Sequence, residues 1–117
     1  DNSVRRAALI ALSKLDAAVL APHTEAIARC LDDADWCVRN EGLDALRKLG
    51  TSALAPHVAA IACCLRDGDE YVRRASLTAL GELEPAALAP HVGAIARCLG
   101  DGHLVVRKAS LDALQKL

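Results

Sequence analysis

The residues best suited to chemistry are the histidines and cysteines. His23 and Cys30, His57 and Cys64, and His91 and Cys98 form three pairs at the same seven-residue spacing. One metal ion held on one helix needs ligands three or four positions apart. Seven positions correspond to about 10.5 Å along a helix axis, too far for one ion. Packed helices lie about 8–10 Å apart, whereas a disulfide needs Cα atoms within about 7 Å. Cys30, Cys64 and Cys98 are therefore expected to be unlinked, buried thiols that pack much as alanine does. The histidines are expected to be helix-start residues bonded to the preceding turn. Cys63 departs from the pattern, because Arg29 and Arg97 hold its column, and it is expected at the surface. Cys37 falls in the opening turn of a helix, where a thiolate is favoured, but no base stands beside it in sequence. No catalytic residue, metal ligand or cofactor is assigned. Five cysteines without framework spacing point to a reducing, intracellular setting, with the cytoplasm as the expected compartment.

These pairs sit within a longer repeat. Pro22, Pro56 and Pro90 are 34 residues apart, as are Ile27, Ile61 and Ile95. Val-Arg recurs at Val4-Arg5, Val38-Arg39, Val72-Arg73 and Val106-Arg107, followed by leucines at Leu9, Leu43, Leu77 and Leu111 and at Leu12, Leu46, Leu80 and Leu114. The 117 residues parse into a half-unit, 1–15, and three units, 16–49, 50–83 and 84–117, and the last two agree at 21 of 34 positions. Each unit predicts two helices. The first is expected to open near its proline, which suits an opening turn, and to run to Leu31, Leu65 or Leu99. Leu20, Leu54 and Leu88 just ahead are placed to staple the entry. After a short turn, Asp35 and Asp69 are good N-caps for the second helix, and His103 is a weaker one. The second helix is expected to run to Leu49, Leu83 or Leu117, about seven helices in all.

On a helical wheel, the second-helix columns that are identical in every full unit (38, 39, 43, 45, 46, 49) fill one arc of about 180–340°. The columns that vary (36, 37, 40, 41, 44, 47, 48) fill the opposite arc. If each unit packs on the next by the same contacts, packing columns repeat and solvent columns drift.

Composition agrees. The chain has 24 Ala and 19 Leu against 8 Val and 4 Ile, with no Phe or Met, which favours helix over sheet. The net charge of −1 provides no bulk field for nucleic acid or acidic membranes, and no apolar run is long enough to span a bilayer.

The run Asp35-Trp36-Cys37-Val38-Arg39, through Leu43-Asp44-Ala45-Leu46 to Leu49, behind a proline-containing first helix, resembles the HEAT-like repeat family over essentially the whole chain. The resemblance implies an all-α, right-handed α-solenoid in which aspartates and arginines bond within and between units; it assigns Asp33, Asp67 and Asp101 with Arg39, Arg73 and Arg107 to that ladder. Some members are enzymes. Deoxyhypusine hydroxylase holds iron on adjacent His-Glu pairs, but this chain has His23-Thr24, His57-Val58 and His91-Val92. No local signature of the phycobilin lyase subunits is present. HEAT-like DNA glycosylases use a basic concave face. Here the basic column Arg6, Arg74, Lys108 is interrupted by Asn40 and opposed by Asp44 and Asp112. The expectation is therefore a non-catalytic protein-binding or scaffold module. The alternatives are a scaffold segment of a HEAT-like enzyme or lyase accessory subunit and, less favoured, a nucleic-acid-binding solenoid.

The resemblance places the second helices on the concave side, so the drifting columns become the expected partner surface: Trp36, Asn40, Asp44 and Arg47; Glu70, Tyr71, Arg74 and Thr78; Leu104, Lys108, Asp112 and Gln115. Trp, Tyr and Arg are enriched at binding hot spots. The chain begins Asp1-Asn2-Ser3 and has no polar capping unit at either end. Leu9, Ile10 and Leu12 at one end and Leu111 and Leu114 at the other are expected to be partly bare. The expectation is thus a fragment of a longer array, or end-to-end stacking on another copy.

Overall fold

Alanine- and leucine-rich segments with few β-branched residues give a chain whose regular structure, among the described residues, is helical throughout. The computed structural model describes residues 2–117; Asp1, which opens the half-unit, lies outside the described residues. The described residues are about 83% helical, contain no strand and form seven helices. Four long helices, α1 (Asn2–Ser13), α4 (Trp36–Lys48), α7 (Glu70–Leu80) and α10 (Leu104–Gln115), pack in sequence: α1 on α4, α4 on α7, and α7 on α10. Between them run three broken helices. The first joins α2 (Ala17–Leu20) to α3 (Thr24–Arg29), the second α5 (Thr51–Leu54) to α6 (Val58–Cys63), and the third α8 (Pro85–Leu88) to α9 (Val92–Arg97). Each broken helix packs on the long helix that follows it.

The broken helices correct one expectation. They begin ahead of their prolines, at Ala17, Thr51 and Pro85, rather than at Pro22, Pro56 and Pro90. Proline lacks an N–H and crowds the preceding turn. The chain answers with a 3-10 turn at Ala21–His23, Ala55–His57 and Ala89–His91, after which the α-helix restarts. The restart falls at the histidines, whose ψ opens to between 1° and 15° and whose side chains make no cap bond. The break is therefore made by the backbone, not by imidazole bonding to the previous turn. Leu20, Leu54 and Leu88 lie within the helical turns ahead of the prolines and are fully buried there.

Long-helix starts follow the cap chemistry. Asp35 Oδ1 accepts from the backbone N–H of Cys37 and Val38, and Asp69 Oδ1 from Tyr71 and Val72, whereas His103 makes no side-chain cap. At the other end, α4 is stopped by Gly50, whose φ of +95° is the left-handed conformation that glycine adopts without strain. The α7 helix ends at Leu80, short of the predicted Leu83, because its last turn tightens: Glu82 and Leu83 donate to Ala79 and Leu80, three residues back.

The core lies between the long helices and the broken ones. Val38, Leu43, Leu46, Ile61, Val72, Leu77, Leu80 and Ile95 are all at or near zero exposure, and the same columns recur from unit to unit. Position decides the exceptions. Val4 is 67% exposed although Val38, Val72 and Val106 are buried, because no broken helix precedes α1 among the described residues to cover it. Leu111 is 49% exposed although Leu43 and Leu77 are buried. Leu9, expected to be partly bare, is buried at 3%, because its column faces the following unit and that unit is present.

Candidate functional site

Two polar systems run across the units. The first begins at the turns before the long helices. Arg39 Nε donates to Asp67 Oδ2 at 2.6 Å and its Nη2 to Oδ1 at 2.9 Å, while its Nη1 reaches back to the Asp33 carbonyl at 2.8 Å. Arg73 repeats this with Asp101 at 2.7 and 3.1 Å and with the Asp67 carbonyl at 2.7 Å. Each carboxylate also accepts a backbone N–H two residues on, from Asp35, Asp69 and His103 respectively. The pairing is offset by one unit: an arginine bonds the next unit's side chain and its own unit's backbone. Arg5, not assigned to the ladder from sequence, therefore binds Asp33 in the same forked geometry. Arg107 donates to the Asp101 carbonyl at 2.7 Å.

Bidentate contact strengthens these pairs beyond an ordinary surface salt bridge. The Arg39 and Asp67 side chains are only 18% and 9% exposed, whereas Arg5 at one end is 46% exposed. Burial alone would raise the Asp67 carboxyl, but the Arg39 guanidinium and the Asp69 N–H hold it below the ordinary aspartate value. Asp101 is lowered in the same way by Arg73 against its burial, and Asp33 by its bond to Arg5.

The cysteine column sits beside this ladder. Cys64 and Cys98 are buried, and Cys30 is half-buried. Each thiol lies 3.6–3.7 Å from the carbonyl four residues back, at Ala60, Ala94 and Ala26. Burial pushes the Cys64 thiol up to about 11, with Asp67 adding to the shift. All five cysteines are free, and Cys63 is exposed. Among the described residues, no three His, Cys, Asp or Glu side chains come together as metal ligands. No helix there is long and apolar enough to cross a membrane.

The second system is the drifting face of the long helices. Trp36 on α4 and Tyr71 on α7 stack with ring centroids 5.9 Å apart and planes inclined by 27°, and they remain 40% and 48% exposed. They stand in a groove of about 370 Å³ that also takes in Asn40, Asp44, Arg47, Arg74 and Thr78. A second groove of about 470 Å³ between α7 and α10 is lined by Arg74, Thr78, Glu82, Lys108, Asp112 and Lys116, among others. Arg74 and Thr78 belong to both, so the grooves adjoin. Arg47 bridges the units, lying 3.5 Å from Glu82 and 4.0 Å from Asp44.

Of the residues singled out from sequence, Trp36, Asn40, Asp44, Arg47, Tyr71, Arg74 and Thr78 come together in the first groove, and Lys108 and Asp112 join Arg74 in the second. Glu70, Leu104 and Gln115 line neither. Glu70 turns toward His103, at 3.9 Å. Sequence reasoning missed Glu82 and Lys116. Both fall in a drifting column, which was the available signal. No protein-family model matches the chain, and no curated protein or solved structure matches it.

Proposed function

We propose that this chain is a non-catalytic protein-binding module, a right-handed solenoid of HEAT-like two-helix repeats that presents its long-helix face to a protein or peptide partner. Two kinds of position support the reading. The columns that recur carry the buried leucines and the Asp-Arg ladder, which tie each unit to the next. The columns that vary line two adjoining grooves at the surface. Joining the units uses invariant chemistry, which leaves the variable face free for recognition.

One observation carries the proposal: the Trp36–Tyr71 stack. Two large aromatic side chains from different units lie against each other in a groove and keep nearly half their surfaces open. Tryptophan and tyrosine are among the residues most enriched at the hot spots of protein interfaces.

The test is site-specific photocrosslinking in the cells the protein comes from. A photoreactive residue at Asn40 or Thr78, in the groove, is expected to give a discrete protein adduct that Trp36→Ala abolishes. The same residue at Arg29 or Arg97, exposed on the broken helices, is expected to give none. Adducts from both faces alike, or from neither, would overturn the proposal.

A further inference from the structure

The charges on the groove face indicate what kind of partner it takes; this inference rests on the protein-binding reading above. The first groove's acidic group, Asp44, and the second groove's Glu82 both stand at Arg47, at 4.0 and 3.5 Å. By contrast, Arg74, Lys108 and Lys116 have no acidic side chain within 4.0 Å among the described residues. Asp112, one helical turn from each lysine, is the only carboxylate lining the grooves without such a partner. The two grooves together hold four cations, Arg47, Arg74, Lys108 and Lys116, against three carboxylates, Asp44, Glu82 and Asp112. Two of the carboxylates gather at Arg47, so the surplus positive charge lies on Arg74, Lys108 and Lys116, with the stacked aromatic pair at the other end of the track.

We propose that the two grooves form a single binding track for an acidic peptide segment in extended conformation. An apolar residue of the segment packs on Trp36 and Tyr71, and its carboxylates meet Arg74 and Lys108. Arg74 and Lys108 occupy the same column on neighbouring packed helices. Such helices are separated by about 8–10 Å, and in an extended chain of the polyproline II kind every third side chain returns to the same face after about 9.3 Å. The segment thus carries carboxylates about three residues apart, beside a leucine, proline or aromatic residue. Nucleic acid fits less well. The basic column is interrupted at Asn40, so it offers two neighbouring cations, enough for two spaced carboxylates but not the unbroken row that a backbone charged at every nucleotide would need.

Trp36 is the only tryptophan, so its emission reports occupancy directly. The probes are a synthetic peptide with one leucine followed by glutamates at every third position, the same peptide with glutamines, and an oligothymidylate. The acidic peptide is expected to shift Trp36 emission saturably, with affinity that falls as salt is added. The glutamine peptide is expected to bind at least tenfold more weakly. The double variant Arg74→Glu, Lys108→Glu changes exposed side chains only, and its fold is checked by circular dichroism; it is expected to lose the acidic peptide at least tenfold. Equal binding of the glutamine peptide, unchanged affinity in the double variant, no saturable response, or tighter binding of the oligothymidylate would each overturn the inference. A failure here alongside specific crosslinks from Asn40 and Thr78 would remove the acidic partner and leave the protein-binding reading standing.

Discussion

At the residue scale, the Asp-Arg ladder and the thiols beside it make separable predictions. Arg73 forks onto Asp101 and also holds the Asp67 carbonyl, with most of its side chain covered. Removing it strands a largely covered carboxylate and a carbonyl, so Arg73→Ala is expected to cost about 2–3 kcal/mol in chemical denaturation. Arg5→Ala is expected to cost distinctly less, because that guanidinium is nearly half exposed. Acid separates the same groups. Asp33, Asp67 and Asp101 have folded values below the ordinary 3.8. Their contribution is complete above that value and is lost as pH falls through the lowered folded values, below about pH 4. Asp67→Asn is expected to flatten that acid limb in a stability–pH profile. Cys64 behaves in the opposite sense. Its thiol is raised from 9.0 to about 11, so the neutral form is favoured by folding, and stability is lost as pH rises from the first value through the second. Cys64→Ala is expected to reduce that alkaline limb, and Cys30 and Cys98, whose thiols are raised by burial in the same sense, to keep part of it. Alkylation of the native protein followed by mass spectrometry is expected to label exposed Cys63 well before its buried neighbour.

At the element scale, one column of the long helices bonds directly to the backbone of the broken helix ahead of it. Ser76 donates its hydroxyl to the Ile61 carbonyl at 2.6 Å, and Ser110 does the same to Ile95. The first unit has Gly42 there, and a Cβ at that position would lie 3.1 Å from Cys30 Cβ. The two sister units accommodate a serine at the same contact, so a shift of a few tenths of an ångström is within reach of this helix pair. Gly42→Ser exchanges a poor helix former for a better one, worth about 0.5 kcal/mol. It also supplies a hydroxyl for the Ile27 carbonyl, which lies 3.6 Å from that Cβ, and a hydrogen bond is worth about 1 kcal/mol. The variant is expected to raise the midpoint of denaturant unfolding, and Ser76→Ala to lower the unfolding free energy by about 1 kcal/mol. The long helices were legible in sequence because their Val-Arg and leucine columns follow helical spacing and because Asp35 and Asp69 cap them. The start of each broken helix was not. A proline reads as an opener, yet one α-turn followed by a 3-10 turn satisfies the backbone ahead of Pro22 without its missing N–H. The aromatic site was half legible. Trp36 and Tyr71 were visible as exposed residues on a drifting face, but they occupy adjacent columns. Their stacking is a diagonal contact that depends on how far α7 is displaced along α4, and a single helix's pattern does not encode that displacement.

At the scale of the whole molecule, the order of contacts decides how the chain comes apart. Neighbouring long helices pack on one another, α1 on α4, α4 on α7 and α7 on α10, and the ladder arginines bond within their own unit or to the next one. Among the described residues, the most extensive packing between long helices joins neighbours in the chain. A chain held by neighbour contacts loses stability in steps as units are removed, whereas one with a shared core loses it together. Deleting 84–117 would put Leu77 and Arg73 where Leu111 and Arg107 now stand, one exposed and the other without a carboxylate from a following unit. Both environments already exist in the folded protein, so the deletion creates no kind of surface that the fold does not already tolerate. The shortened chain 1–83 is expected to keep its helical signal per residue and its Trp36–Tyr71 stack, with a lower unfolding midpoint. Circular dichroism during thermal unfolding, with Trp36 emission as a second probe, checks this directly. Collapse of the 1–83 chain to a random coil would mean that the units depend on a common interior, and the separation between joining columns and recognition columns would fail with it.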